Sequence, residues 1–141
     1  MAKKFLKEYE VLLIKAKEDL IASKYILDGF NNHGLELRLE IVFFHFQQCG
    51  EKLLKSVLDL NGIQFPRTHD LEILLQLLVS NDIDLVADVN NLVELTDYAV
   101  ESRYAILLDD MEDTGKYIEV LDQLLLFVEE SIALISGDDD V

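Results

Sequence analysis

Apolar residues recur every three or four positions along most of the chain, the spacing that places them on one face of an α-helix. The first such pattern covers residues 3–30 and ends at Asn31–Gly34, where Gly34 suits the left-handed cap of a helix. The second runs from about Leu35 to Leu60, and its apolar positions cover nearly half of the helix circumference. We therefore expect the second helix to be the most buried element of the protein.

The same spacing predicts three further helices, each bounded by residues that cap or break a helix. Their expected ranges are residues 69–79, 84–107 and 114–135. We expect Thr68 to cap the first of them and Thr114 the last, because a hydroxyl oxygen at the N-cap accepts from a free backbone N–H. Asp70, at the start of the first, could also take a capping role.

Four long helices and one short helix joined by short loops are typical of an all-α, up-and-down four-helix bundle, with the short helix lying across one end. We expect a single helical domain over residues 1–136. Ser136–Gly137 should end the last helix, and the acidic residues 137–141 should form a disordered tail. The apolar faces of the first two helices are wide for a bundle of this size, so we also expect a homodimer.

The charge of the chain and its distribution limit which partners the protein can bind. The chain has 12 Lys or Arg residues against 28 Asp or Glu, which gives a formal net charge of −16. Residues 1–67 hold ten basic and nine acidic side chains, whereas residues 68–141 hold two and nineteen. A half that acidic repels phosphate backbones, so we expect no broad non-specific binding of nucleic acid.

Other classes are disfavoured by what the sequence lacks. No apolar run approaches the ~18 residues that cross a bilayer, and the lone Cys49 excludes a disulfide within the chain. We expect a cytoplasmic protein without a membrane segment. The sequence has no phosphate-binding glycine loop, no Cys-x-x-Cys and no Glu-x-x-His pair, and its three histidines lack metal-site spacing. We expect no metal and no cofactor.

The first candidate ligand-binding residues lie on the polar side of the second helix. Gln48, Lys52 and Lys55 fall within about 60° of one another, with His45 adjacent. Two ammonium groups one helical turn apart, beside an amide donor, could hold a phosphate or the rim of a nucleotide. The alternative is an ordinary solvent-exposed helix face.

His69 and Arg103 are two further candidate groups. His69 falls at the start of the third predicted helix, from which it could reach back to the second or the fourth. Arg103 is the only basic residue between Arg67 and Lys116, in a region rich in carboxylates. It either pairs with a neighbouring carboxylate or binds a phosphate or a partner.

Three segments resemble the motifs of one protein family. Phe46–Ser56 (FQQCGEKLLKS) looks like a helix signature of pattern QQ-x-x-EK-x-x-K, and Phe65–Leu71 (FPRTHDL) is similar to a P-x-T-H-D-L segment. Leu95–Tyr104 (LTDYAVESRY) resembles a helix that ends in Arg-Tyr. In this order they resemble the HEPN domains, the nucleotide-binding domains of higher eukaryotes and prokaryotes.

The resemblance implies a helical bundle that commonly dimerises and that works beside a minimal nucleotidyltransferase in toxin–antitoxin or related defence systems. Many members of the family are metal-independent ribonucleases with an Arg-x4–6-His motif. Arg103 matches that arginine, but the positions where the histidine would fall are Leu108, Asp109 and Asp110, and no histidine follows in the chain.

We therefore expect a non-catalytic HEPN-type module that binds a nucleotide or a minimal nucleotidyltransferase, and not an enzyme. Its expected ligand-binding residues are Gln48, Lys52, Lys55, His69 and Arg103. The alternative is a degenerate metal-independent ribonuclease toxin that uses Arg103 with a displaced His69 or His45. A third hypothesis is a structural dimer whose acidic face binds a basic partner.

Overall fold

The computed structural model describes residues 5–37, 39–85, 88–99 and 114–139. They form helices α1 (Glu8–Asn32), α2 (Glu40–Leu60), α3 (Leu71–Ser80), a 3₁₀ helix (Asn90–Ala99) and α4 (Thr114–Asp139). These residues contain no β-strand, and the predicted all-α fold class is confirmed.

Helix α2 lies at the centre of this arrangement and packs against α1, α3, α4 and the 3₁₀ helix. Of its 21 residues, 12 are buried, which confirms that it is the most buried of the described helices. Phe43 and Phe46 meet Tyr117 of α4, with ring centroids 5.6 and 5.9 Å apart. Full burial of an aromatic or aliphatic side chain of this size contributes about 1.5–3 kcal/mol, so α2 supplies much of the stability.

Three other elements of the chain approach α2 closely at Gly50. A β-carbon at this position would lie 3.6 Å from Leu92 of the 3₁₀ helix and 3.7 Å from Leu121 of α4. It would lie 3.9 Å from Leu71, the first residue of α3. These are ordinary van der Waals distances, so one side of α2 is fully covered by elements of the same chain.

The inward face predicted for α1 is buried in its middle. Ala16, Leu20 and Ser23 are buried, and the Ser23 hydroxyl donates to the carbonyl oxygen of Leu20 at 2.7 Å. Phe5, where the predicted pattern begins, is 84% exposed because it precedes the first helical residue, Glu8. Helical periodicity does not apply outside the helix.

The second helix was predicted to begin at Leu35, but α2 begins at Glu40. Leu35 belongs instead to the end of α1, where its N–H donates to the carbonyl oxygen of Gly29 at 3.0 Å. Its side chain lies directly over Gly29, since a β-carbon there would be 3.0 Å from the Leu35 Cδ2. Gly34 takes the left-handed conformation between them, with φ of 65°, as its position predicts.

The fourth helix was predicted over residues 84–107, but helical structure in its described part begins only at Asn90 and is a 3₁₀ helix. Leu92 and Leu95 are buried three positions apart, with buried Val89 three positions earlier. A 3₁₀ helix has three residues per turn, so this spacing places Leu92 and Leu95 on one face, while Val89 directly precedes the helix. An α-helix would spread them over part of its circumference. Residues 86, 87 and 100–107 of this prediction lie outside the described residues.

Helix α4 begins at Thr114, which is its first helical residue and not its predicted N-cap, and it does not end at Ser136–Gly137. It continues to Asp139, because a glycine near a helix end costs only about 1 kcal/mol and does not force a break. The helix therefore includes three residues of the segment 137–141 that we expected to be a disordered tail. The domain boundary at residue 136 stays a prediction.

Helix α2 ends in a Schellman motif. Gly62 has a positive φ of 70°, and its N–H donates to the carbonyl oxygen of Asp59 at 3.0 Å. The N–H of Ile63 donates to the carbonyl oxygen of Leu58 at 2.9 Å. Glycine is the residue that adopts this left-handed conformation at least cost.

Helix α3 ends in the same motif with aspartate in the glycine position. Asp82 has φ of 57°, and its N–H donates to the carbonyl oxygen of Val79 at 3.1 Å. The N–H of Ile83 donates to the carbonyl oxygen of Leu78 at 3.0 Å. A non-glycine residue in this conformation carries backbone strain.

Replacing Asp82 with glycine should therefore stabilise the fold by about 0.5–1 kcal/mol, the strain relieved less the entropy that glycine adds to the unfolded chain. The free energy of unfolding from urea denaturation, followed by circular dichroism, measures this. The reciprocal change Gly62→Asp should destabilise. A loss of stability in Asp82→Gly would show that the side chain at residue 82 makes a contact worth more than the strain.

Candidate functional site

Two polar clusters flank the apolar core of α2. The first, which we name the Asp19 cluster, consists of Asp19 on α1 and of His45 and Lys52 on α2. His45 Nδ1 donates to Asp19 Oδ1 at 2.9 Å, and the Lys52 ammonium pairs with Asp19 Oδ2. His45 and Lys52 are seven residues apart, which places them on the same face of the helix.

The Asp19 cluster is partly shielded from solvent, since only 13% of the Asp19 side chain is exposed. Burial tends to raise the pKa of this carboxyl group, but the hydrogen bonds from His45 and Lys52 outweigh it, and the pKa of Asp19 is lowered. The carboxylate is thus held ionised between two donors. Lys52, predicted to bind a ligand, is engaged in an ion pair that joins α1 to α2.

The second cluster, which we name the Glu51 cluster, consists of Gln47, Glu51 and Lys55 on α2 and of His69. Glu51 is only 4% exposed. Its Oε1 accepts from Gln47 Nε2 at 3.1 Å and from His69 Nδ1 at 2.8 Å, and its Oε2 accepts from Lys55 Nζ at 3.0 Å. A buried carboxylate is tolerated only when it is hydrogen-bonded and charge-paired, and Glu51 meets both conditions.

Gln47 ties the Glu51 cluster to the chain that follows α2. Its Nε2 also donates to the carbonyl oxygen of His69 at 3.0 Å, so both the backbone and the ring of His69 are bound to α2. Its Oε1 accepts from Gln48 Nε2 at 2.6 Å. The Lys55 ammonium lies 5.8 Å from the centre of the Phe65 ring, which adds a second contact between α2 and this loop.

The start of α3 fixes the position of His69 from the other side. Asp70, the second predicted capping residue, is the N-cap in place of Thr68, and its carboxylate accepts from the N–H of Glu72 at 3.0 Å. Thr68 accepts instead from the N–H of Asp70 at 3.0 Å. The N–H of Leu71 donates to the Thr96 hydroxyl at 3.2 Å. His69 therefore precedes α3, whereas we predicted that it would begin the helix.

His69 is the most accessible member of the Glu51 cluster, with 65% of its side chain exposed. A carboxylate only accepts hydrogen bonds, so the hydrogen of the neutral ring lies on Nδ1, which faces Glu51. Nε2 has no partner among the described residues. The geometry thus presents an imidazole of fixed orientation whose outer nitrogen can accept or, when protonated, donate.

The five predicted ligand-binding residues do not form one group. Gln48, Lys55 and His69 are brought together through Gln47 and Glu51, whereas Lys52 belongs to the Asp19 cluster. Arg103 lies outside the described residues. Gln47 and Glu51 were missed, although their spacing with Lys55, four residues at each step, places the three on one stripe of α2.

Neither a metal-ion site nor a membrane-spanning helix is found in residues 5–37, 39–85, 88–99 and 114–139. No group of three or more His, Cys, Asp or Glu side chains is placed to hold a metal ion. None of the helices there has the length and apolar character needed to cross a membrane. Burial raises the pKa of the Cys49 thiol, so this residue belongs to the core and is not a reactive thiolate.

The Asp19 cluster generates a pH-dependent prediction. Because folding lowers the pKa of Asp19, the ionised carboxylate stabilises the fold at pH values above its ordinary pKa of 3.8. This stabilisation is lost as the pH falls through the lowered pKa. Asp19→Asn should cost about 1–3 kcal/mol of unfolding free energy at neutral pH and much less in acid. Urea denaturation at several pH values measures both.

Asp122→Asn is the matched control, because Asp122 also pairs with a lysine of α1 but is 48% exposed. An exposed pair contributes at most about 1 kcal/mol. A wild-type advantage over Asp19→Asn that stays constant from neutral pH into acid would contradict the assigned role of the ionised carboxylate.

The sequence also matches the model of one known protein family. The family model of the HEPN domain matches residues 9–131, which cover most of the chain and both clusters. No curated protein and no solved structure matched the chain. The resemblance predicted from the three motifs is thereby confirmed: the chain belongs to the HEPN domain family, whose members have nucleotide- or RNA-related functions.

Proposed function

We propose that this protein is a non-catalytic HEPN-type binding module that holds the phosphate of a nucleotide at His69. The observation that carries the proposal is the 2.8 Å hydrogen bond between His69 Nδ1 and the buried carboxylate of Glu51. It fixes the ring while leaving 65% of the side chain exposed. An oriented and accessible imidazole is a suitable donor to an anion when it is protonated.

The charge around His69 suits a small anion. Protonated His69 has N–H groups on both nitrogens, so it can donate to Glu51 and to a phosphate at once. Lys55 lies on the other carboxylate oxygen of Glu51, and the exposed Arg67 is two residues before His69. His69 lies at the start of the acidic residues 68–141, but Lys55 and Arg67 belong to residues 1–67, whose charge is nearly balanced.

The partner and the cellular setting follow from family membership as part of the same proposal. A minimal nucleotidyltransferase, in a toxin–antitoxin or defence-type system, is the protein partner that we propose. We also propose a homodimer. Its support is the exposed apolar stripe on α1, where Ile14, Ile21 and Tyr25 are 44%, 64% and 80% exposed. Spacings of seven and four residues place these side chains on one face.

A second candidate function is a metal-independent ribonuclease. The observation that favours it is the same carboxylate–imidazole pair, because a ring oriented through Nδ1 has its Nε2 lone pair free to act as a general base. His69 would take the proton of the attacking hydroxyl, and Arg103 would stabilise the phosphate charge. The family's motif places its histidine shortly after the arginine, and this chain has none there.

Calorimetry with ATP and GTP tests the binding proposal. We expect His69→Ala to weaken the binding of both nucleotides at least several-fold, since a hydrogen bond to a charged group is worth about 1.5–3 kcal/mol.

His33→Ala is the control, because His33 is 71% exposed but lies outside the Glu51 cluster. Binding by His69→Ala that equals wild type would contradict the proposed site. Cleavage of RNA by the wild-type protein, lost in both Arg103→Ala and His69→Ala, would replace the binding module with the second candidate.

A further inference from the structure

An open groove of about 240 Å³ lies between the end of α3 and the segment that leads into the 3₁₀ helix. Its apolar lining includes Leu78 and Val79 of α3, and Ile83 and Val89 of the following segment. Leu78 and Val89 are buried, so they form a fixed floor. None of the groove residues belongs to the Asp19 cluster or the Glu51 cluster.

The size of the groove limits what can occupy it. Pockets for drug-sized ligands are roughly 300–1,000 Å³, so this groove is too small for a nucleotide but large enough for one long side chain. Open apolar grooves of this kind receive the anchoring side chains of protein partners.

The rim of the groove is acidic. Asp84 and Asp88 both line it, and both are exposed. Asp84 has no partner among the described residues. Within the same residues, Asp88 Oδ1 accepts only from Asn90, through its backbone N–H and its Nδ2, each at 3.4 Å. The groove thus combines an apolar floor with two carboxylates that lack a cationic partner within the described residues.

We propose that this groove anchors a lysine side chain of a partner protein. The aliphatic stem of lysine packs on apolar surface while its ammonium group stays at the solvent edge, which matches an apolar floor below an acidic rim. Lysine has four methylene groups against three in arginine, so it fills more of the apolar length. The acidic second half of the chain attracts a basic partner to this surface.

NMR titration of the ¹⁵N-labelled protein with N-acetyl-lysine methylamide tests the proposal. We expect shift changes in residues 75–90 that saturate, and weaker binding of the norleucine analogue, which has a similar stem without the charge. Asp84→Asn and Asp88→Asn should each weaken lysine binding roughly two- to fivefold, as expected for exposed ion pairs.

Asp82→Asn is the matched control, because it removes the same charge from the same segment but outside the groove lining, and asparagine tolerates the left-handed backbone. It should bind the lysine probe as wild type does. Equal binding of the norleucine analogue would show an apolar pocket without the proposed selectivity. Identical shifts with magnesium chloride, or equal losses in all three variants, would show a general acidic surface. Each of these results would overturn the proposal.

Discussion

A carboxylate buried inside a helical bundle must be hydrogen-bonded, and the site of this protein depends on how Glu51 meets that constraint. Its three donors are Gln47, one turn earlier on α2, Lys55, one turn later, and His69 in the loop that follows α2. Because His69 is one of them, satisfying Glu51 also fixes where the chain enters α3. The same interaction serves the fold and orients the exposed imidazole on which the proposed function rests.

Helix α2 contributes polar side chains to two separate clusters, which join it to different parts of the chain. The Asp19 cluster joins α2 to α1, and its histidine and lysine are largely shielded from solvent. The Glu51 cluster joins α2 to the loop before α3, and it alone presents a largely exposed histidine. Lysines that appear free in the sequence are thus used to neutralise buried carboxylates. This explains why Lys52 takes a structural role, whereas Lys55 remains beside the proposed site.

The sequence predicted the helical fold, the dominance of α2 and the family, because each depends on periodic or motif patterns within a single segment. It grouped Gln48, Lys52 and Lys55 by helical angle alone and missed Gln47 and Glu51. Burial separates these residues, and burial depends on which elements pack against α2. Asp19 could not be paired with Lys52 from sequence, since 33 residues separate them. The 3₁₀ helix was missed because a three-residue spacing is also compatible with an α-helix.

The central claim is that Glu51 fixes the orientation and the tautomer of His69. Long-range ¹H–¹⁵N NMR of the His69 and His33 rings, at a pH where both rings are neutral, tests it most directly. His33 provides an internal reference, because its Nε2 faces Asp28 at 3.4 Å and should carry the hydrogen. We expect the opposite tautomer for His69, with the hydrogen on Nδ1 and the lone pair on Nε2. A hydrogen on Nε2 of His69 would contradict it.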